Sequence, residues 1–166
     1  MRELDVIGVR VEMPSNQPIV LLREVGGQRC LPIWIGAVEA TAIAFAQQGV
    51  VPPRPLTHDL FKDVLEAVGT SLEQVRITEV KEGTYYAELV FPGGVEVSSR
   101  PSDSIALALR TGTPIYATDG LLEEAGVLMA ETDSESEEVS EDEVAKFREF
   151  LDQVSPEDFH GQPPER

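Results

Sequence analysis

Residues 36–48, GAVEATAIAFAQQ, narrow the fold of this chain more than any other stretch. The segment reads as a helix that stops at Gly49, a residue suited to the left-handed turn that closes helices. Apolar or small side chains occupy nearly every face of it, from Ala37 and Val38 through Ile43 to Phe45 and Ala46. A helix apolar all round has to be covered on several sides. A sheet below it and a neighbouring subunit above it would do so.

The material for a sheet lies on both sides. Val9 and Val11 alternate with Arg10 and Glu12, the pattern of a half-buried strand, and PIVLLREV (18–25) follows. Gly26 and Gly27 make a hairpin turn into RCLPIWI (29–35). Further strands are expected over 74–80, 84–91 and 94–99, with Tyr85, Ala87, Leu89 and Phe91 sharing a core face. Helices are expected over 57–69, with a stripe of Leu60, Phe61, Val64, Leu65 and Val68, over 102–111, and over 120–125. A short strand is expected over 113–118. Sliding the two halves by 62 positions brings IAFA (43–46) onto IALA (105–108) and Thr57 onto Asp119. Both halves then read β-β-β-α-α, a weak pseudo-repeat. The fold class is α+β, a mostly antiparallel or mixed sheet with helices packed on it.

At 166 residues the chain has room for one domain with a real core. The domain is assigned to residues 1–130. Residues 131–143, ETDSESEEVSEDE, hold eight acids and no base, a composition that cannot bury enough surface to order itself. The expectation is an acidic disordered linker over 131–142, a short amphipathic helix over 143–155 and a disordered tail over 156–166. The net charge of −17 is shared between them: residues 131–166 carry 13 acids and 3 bases, net −10, which leaves −7 for the domain. No basic stripe of the kind that grips nucleic acid through its phosphates is present. One cysteine (Cys30) and two histidines (His58 and His160) exclude an intrachain disulfide and a zinc cluster. No leader and no membrane span are read, and no organic cofactor is expected. A soluble, cytoplasmic protein is the inference.

Two stretches share a grammar. In PRPLTHDLF (53–61), Pro55 keeps Arg54 out of helical angles just before a helix. Thr57 is a competent N-cap, and Asp59 in the first turn suits the positive end of the helix. A helix N-terminus does not attract a cation, so His58 is expected in the neutral form that can act as base or ligand. In SRPSDSIAL (99–107), Arg100 precedes Pro101, Ser102 is an N-cap candidate and Asp103 follows. Free helix amides beside a guanidinium make a place for a phosphate or carboxylate. The plainer alternative is internal: the acids cap their helices, and Arg54 and Arg100 pair with Glu39, Asp59 or Asp103 to lock the loops. Glu39, in the first turn of the apolar helix, needs such a partner if it is buried.

Three blocks in this order, LPIWIGAVEATAIAFAQQG, PRPLTHDLFKDVLEAVG and SSRPSDSIALALRTGTPIY, resemble the bifunctional nuclease family, and its actinobacterial members most closely. The resemblance spans roughly residues 3–128. It implies an α+β domain, a homo-oligomer (a dimer first), and nuclease activity on DNA and RNA with little sequence preference. Its signature positions carry over as Glu39, Arg54, Thr57, His58, Asp59, Arg100, Ser102 and Asp103. Family members often place an acidic residue just before the second Arg-Pro block; here Ser98 and Ser99 stand there.

Two functions follow. In a phosphodiesterase, Asp59, Asp103 and Glu39 would hold Mg²⁺ or Mn²⁺. His58 would move the proton with these acids as catalytic partners. Arg54 and Arg100, with Thr57 and Ser102, would bind the phosphate. In a non-enzymatic regulatory or assembly module, the same residues would form a polar lattice that fixes the loops at a subunit interface.

Overall fold

Three consecutive antiparallel strands open the chain: β1 (Arg2–Glu12), β2 (Gln17–Glu24) and β3 (Arg29–Trp34). Helices α1 (Ala37–Gln48) and α2 (Thr57–Ala67) follow. The order then recurs with β4 (Gln74–Lys81), β5 (Thr84–Phe91), a turn of 3-10 helix, β6 (Val95–Ser99) and α3 (Pro101–Thr111). The second half differs by a strand, β7 (Ile115–Ala117), before α4 (Asp119–Ala125) and the two-residue β8 (Val127–Leu128). The computed structural model describes residues 1–128. The acidic linker, the helix over 143–155 and the terminal tail therefore lie outside the described residues.

The strands form one sheet in the order β6-β5-β4-β7-β1-β2-β3-β8. Each half contributes a meander, and β7 joins them, antiparallel to β1 and parallel to β4. The sheet is thus mixed, with a single parallel pairing. It curls: the hydroxyl of Tyr85 on β5 donates to the carbonyl of Pro32 on β3 at 3.3 Å, although four strands lie between them in the order. The two halves share an order of elements but not a strict register. The 62-residue slide superposes α1 on α3 and α2 on α4, while β4 at 74–81 meets the end of β1 and the start of β2.

Alternation places the core where the strand patterns predict it. Val20, Leu22, Leu31 and Ile33 from one meander and Val75, Ile77, Ala87 and Leu89 from the other are buried together. Helix α3 lies across this layer with Ile105, Ala106, Leu107 and Ala108 buried, and α1 and α2 both pack on it. Small residues at 106 and 108 let those neighbours approach. The apolar α1 is covered on the side of Ala40, Ala42 and Ile43, whereas Val38 stays 79% exposed.

Helix α2 departs from expectation. Of its predicted core stripe only Leu65 is buried; Leu60, Phe61, Val64 and Val68 are 41–69% exposed. The face turned toward the protein carries His58, Asp59 and Leu65 instead. An amphipathic helix sits with its apolar side outward because its first turn is pulled onto α3 by polar contacts.

Candidate functional site

The two Arg-Pro corners put the first turns of α2 and α3 side by side. Pro101 takes the first helical position of α3, where its missing N–H costs nothing, and Arg100 is the N-cap residue in extended conformation. This corrects the expected cap: Ser102 lies inside the first turn and is 6% exposed, which leaves little of it for a phosphate. In α2 the N-cap position is Leu56, not Thr57, and the capping group is Asp59, whose Oδ2 accepts from the Leu56 N–H at 3.0 Å. Thr57 is on the exposed first turn.

From these positions a chain of charges runs across three helices. The Arg100 guanidinium forks onto Asp103, Nε to Oδ2 at 2.7 Å and Nη2 to Oδ1 at 3.1 Å. Its Nη1 donates to Glu39 Oε1 of α1 at 2.9 Å. Asp103 Oδ1 also meets His58 Nε2 of α2 at 3.0 Å. Burial alone would raise the Asp103 carboxyl, but the hydrogen bonds and positive charge of Arg100, with the contact to His58, hold it below its ordinary value. Asp103 and Glu39 in turn raise Arg100.

His58 and Asp59 are adjacent but face different partners. Asp59 Oδ1 accepts from Arg110 Nε at 2.7 Å. Burial pushes the Asp59 carboxyl up; the Arg110 hydrogen bond, the Leu56 amide and the neighbouring charges outweigh it and bring it down. Arg110 stands seven residues after Asp103, two turns along the same side of α3, and its side chain is 8% exposed. Reading the sequence missed it, because an arginine in a last helical turn is the ordinary complement of the helix dipole. The usable signal was the spacing from Asp103 to Arg110 set against the adjacent pair His58–Asp59.

Glu39, His58, Arg100 and Asp103 therefore converge, and Asp59 with Arg110 adjoins them. Arg54 does not join: it is exposed and has no ion-pair partner among the described residues. Ser98 stands where relatives were expected to carry an acid; its neighbour Ser99 bonds through its hydroxyl to that of the fully buried Ser104 and ties the end of β6 to α3. The carboxylates expected to hold Mg²⁺ or Mn²⁺ are divided between two guanidinium groups. Among the described residues no group of three His, Cys, Asp or Glu side chains stands together.

Residues 20–130 match the bifunctional nuclease domain. The chain belongs to that family. An uncharacterized protein of Mycobacterium tuberculosis is 58% identical over 161 residues, covering 96% of this chain and 98% of its own length. Bifunctional nuclease 1 of Oryza sativa is 26% identical over 144 residues, 83% of this chain and 43% of the plant protein. Bifunctional nuclease 2 of Arabidopsis thaliana is 30% identical over 112 residues, 62% of this chain and 34% of its own. The bifunctional nuclease domain thus makes up most of this chain, while the chain spans less than half of either plant relative. No helix among the described residues is long and apolar enough to cross a membrane.

Proposed function

We propose that the chain is a nuclease that hydrolyses phosphodiester bonds of DNA and RNA with little sequence specificity. The observation that carries the reading is the run Glu39–Arg100–Asp103–His58 across the first turns of three helices. Three of the five N–H groups of Arg100 hold carboxylates, which leaves one on each terminal nitrogen for a phosphate oxygen. Its side chain is 65% exposed, so such an oxygen can reach it. With Nε2–H given to Asp103, the lone pair of His58 Nδ1 can take a proton from water or from a ribose 2′-hydroxyl as that oxygen attacks phosphorus. The protonated ring then returns the proton to the leaving oxygen. Asp103 orients the imidazole and Glu39 steadies the arginine; neither has to touch the substrate. Exposed Arg54 is assigned to the next phosphate along, and no step is assigned to a metal.

The test compares wild type with His58→Ala and Arg100→Ala, matched for melting temperature, on single-stranded DNA and RNA in Mg²⁺, Mn²⁺ and EDTA. Loss of a general base lowers the rate about 10²–10⁴-fold, and cleavage by the wild type is expected to persist in EDTA. Activity that survives His58→Ala would remove the reaction from this site.

The outward apolar stripe of α2 favours a second reading, an assembly module whose polar residues only lock the loops. The two readings share one expectation, a homo-oligomer with a dimer first, and a reducing cytoplasmic setting suits the buried, free Cys30 of both.

A further inference from the structure

Beside the charge chain, on the Asp59 side of α2, lies a hollow of about 440 Å³. Phe45, Val50, Pro52, Pro55 and Leu109 give it apolar walls, and Asp59, Lys62, Asp63 and Arg110 supply its polar border. Arg110 uses Nε on Asp59 and Nη1 on the carbonyl of Ala106. Its Nη2 has no partner among the described residues and is not fully buried, so it keeps some contact with solvent on a side chain that is 8% exposed. Asp59 keeps unused acceptor lone pairs after receiving Arg110 and the Leu56 amide. A donor and an acceptor therefore stand together at the edge of an apolar slot, one residue along the chain from His58.

We propose that this hollow receives a nucleobase of the strand whose phosphate lies at Arg100. The inference rests on the nuclease reading and names where that substrate's base goes. The volume falls in the usual ~300–1,000 Å³ of small-molecule sites and admits a nucleoside. The faces of a base are apolar and pack on Phe45 and the prolines, as bases do on aromatic platforms. Every base offers a neighbouring donor and acceptor on its pairing edge, so the Asp59–Arg110 pair recognises a base without choosing among them. A base inside a duplex has that edge occupied and must first leave the stack. The site consequently takes single strands before duplexes. Lys62, loosely paired with Glu66 at 3.5 Å, is placed to meet the phosphate of the same nucleotide.

Binding to the full chain is measured by calorimetry or NMR titration with adenosine 5′-monophosphate, cytidine 5′-monophosphate and ribose 5-phosphate. Both nucleotides are expected to bind at least tenfold tighter than the sugar phosphate. Ala46→Phe, which fills the slot, and Val50→Glu, which charges its wall, are each expected to erase that difference and leave ribose 5-phosphate unchanged. Equal affinity for all three probes, or nucleotide binding untouched by both variants, overturns the base site even if the wild type cleaves nucleic acid. Tenfold tighter nucleotide binding that both variants remove, in a protein that cleaves nothing, upholds the site and overturns the nuclease reading instead.

Discussion

Asp103 accepts three hydrogen bonds through two oxygens, and its lowered pKa fixes how acid acts on the protein. A carboxyl that falls below its ordinary 3.8 on folding stabilises the native state above that pH. The contribution is lost as pH drops through the folded value, because the unfolded chain takes up the proton first. Asp103→Asn is therefore expected to cost about 1–2 kcal/mol near neutrality, discounted for partial exposure. The gap to wild type should close toward pH 3. Urea midpoints at pH 7 and pH 3 measure it, and a gap that does not shrink on acidification contradicts the assignment. Gly36 offers a subtler probe. A Cβ there would overlap the Glu39 carboxylate where it folds back to reach Arg100. Gly36→Ala has unstrained backbone angles, so it should leave the melting temperature nearly unchanged while reducing phosphate affinity several-fold. At this scale the sequence was legible in residue type and not in pairing. It placed Arg100 with Asp103 and Glu39 among its alternatives. Arg110 rather than Arg54 takes Asp59, because the crossing of α2 over α3 decides that, and no local pattern encodes a crossing.

Helix α2 has the least reason to stay where it is. Fully burying one leucine contributes about 2 kcal/mol, against ~1–2 kcal/mol of backbone entropy for each ordered residue. An eleven-residue helix is also short of the ~12–15 residues at which isolated helices become marginal in water. Its hold on the domain is mainly His58–Asp103 and Asp59–Arg110, while Leu60, Phe61, Val64 and Val68 face outward. A second copy laid on that stripe would fix the helix that carries His58. The double variant Phe61→Lys, Val64→Lys is expected to shift the protein from dimer to monomer in sedimentation and to lower cleavage with it. A wild type already monomeric at micromolar concentration, or a dimer indifferent to the change, would assign the stripe to something else. The stripe's period was legible in the sequence; which side it faced was not. Hydrophobic periodicity reports that a face wants cover and says nothing of whether the cover belongs to the same chain.

For the whole molecule the balance of charge governs how substrate arrives. The strand patterns, the order of the helices and the doubled β-β-β-α plan were readable from alternation and from glycine stops. The joining of the two meanders through the three-residue β7 was not, because so short a strand has no periodicity of its own. Charge needs no such inference. The chain carries −17, and residues 131–166 supply −10 of it, so a chain ending at Ala130 carries −7. Polyanions are repelled by the field of the whole molecule, and salt screens that field over ~10 Å at 0.1 M. Two arginines meeting two phosphates of a single strand would give a logarithmic salt slope of only about −1.4. Repulsion from the remaining acids works against that small slope in the full chain. Shortening the chain at Ala130 is therefore expected to tighten binding of single-stranded DNA several-fold in 20 mM salt on electrostatic grounds. By 0.5 M the two forms should converge as screening becomes nearly complete. Fluorescence anisotropy across the salt range measures both curves. Equal affinities at low salt would mean that the last 36 residues do not act on the substrate through charge, and a truncated form that binds more weakly would mean that they contribute contacts of their own.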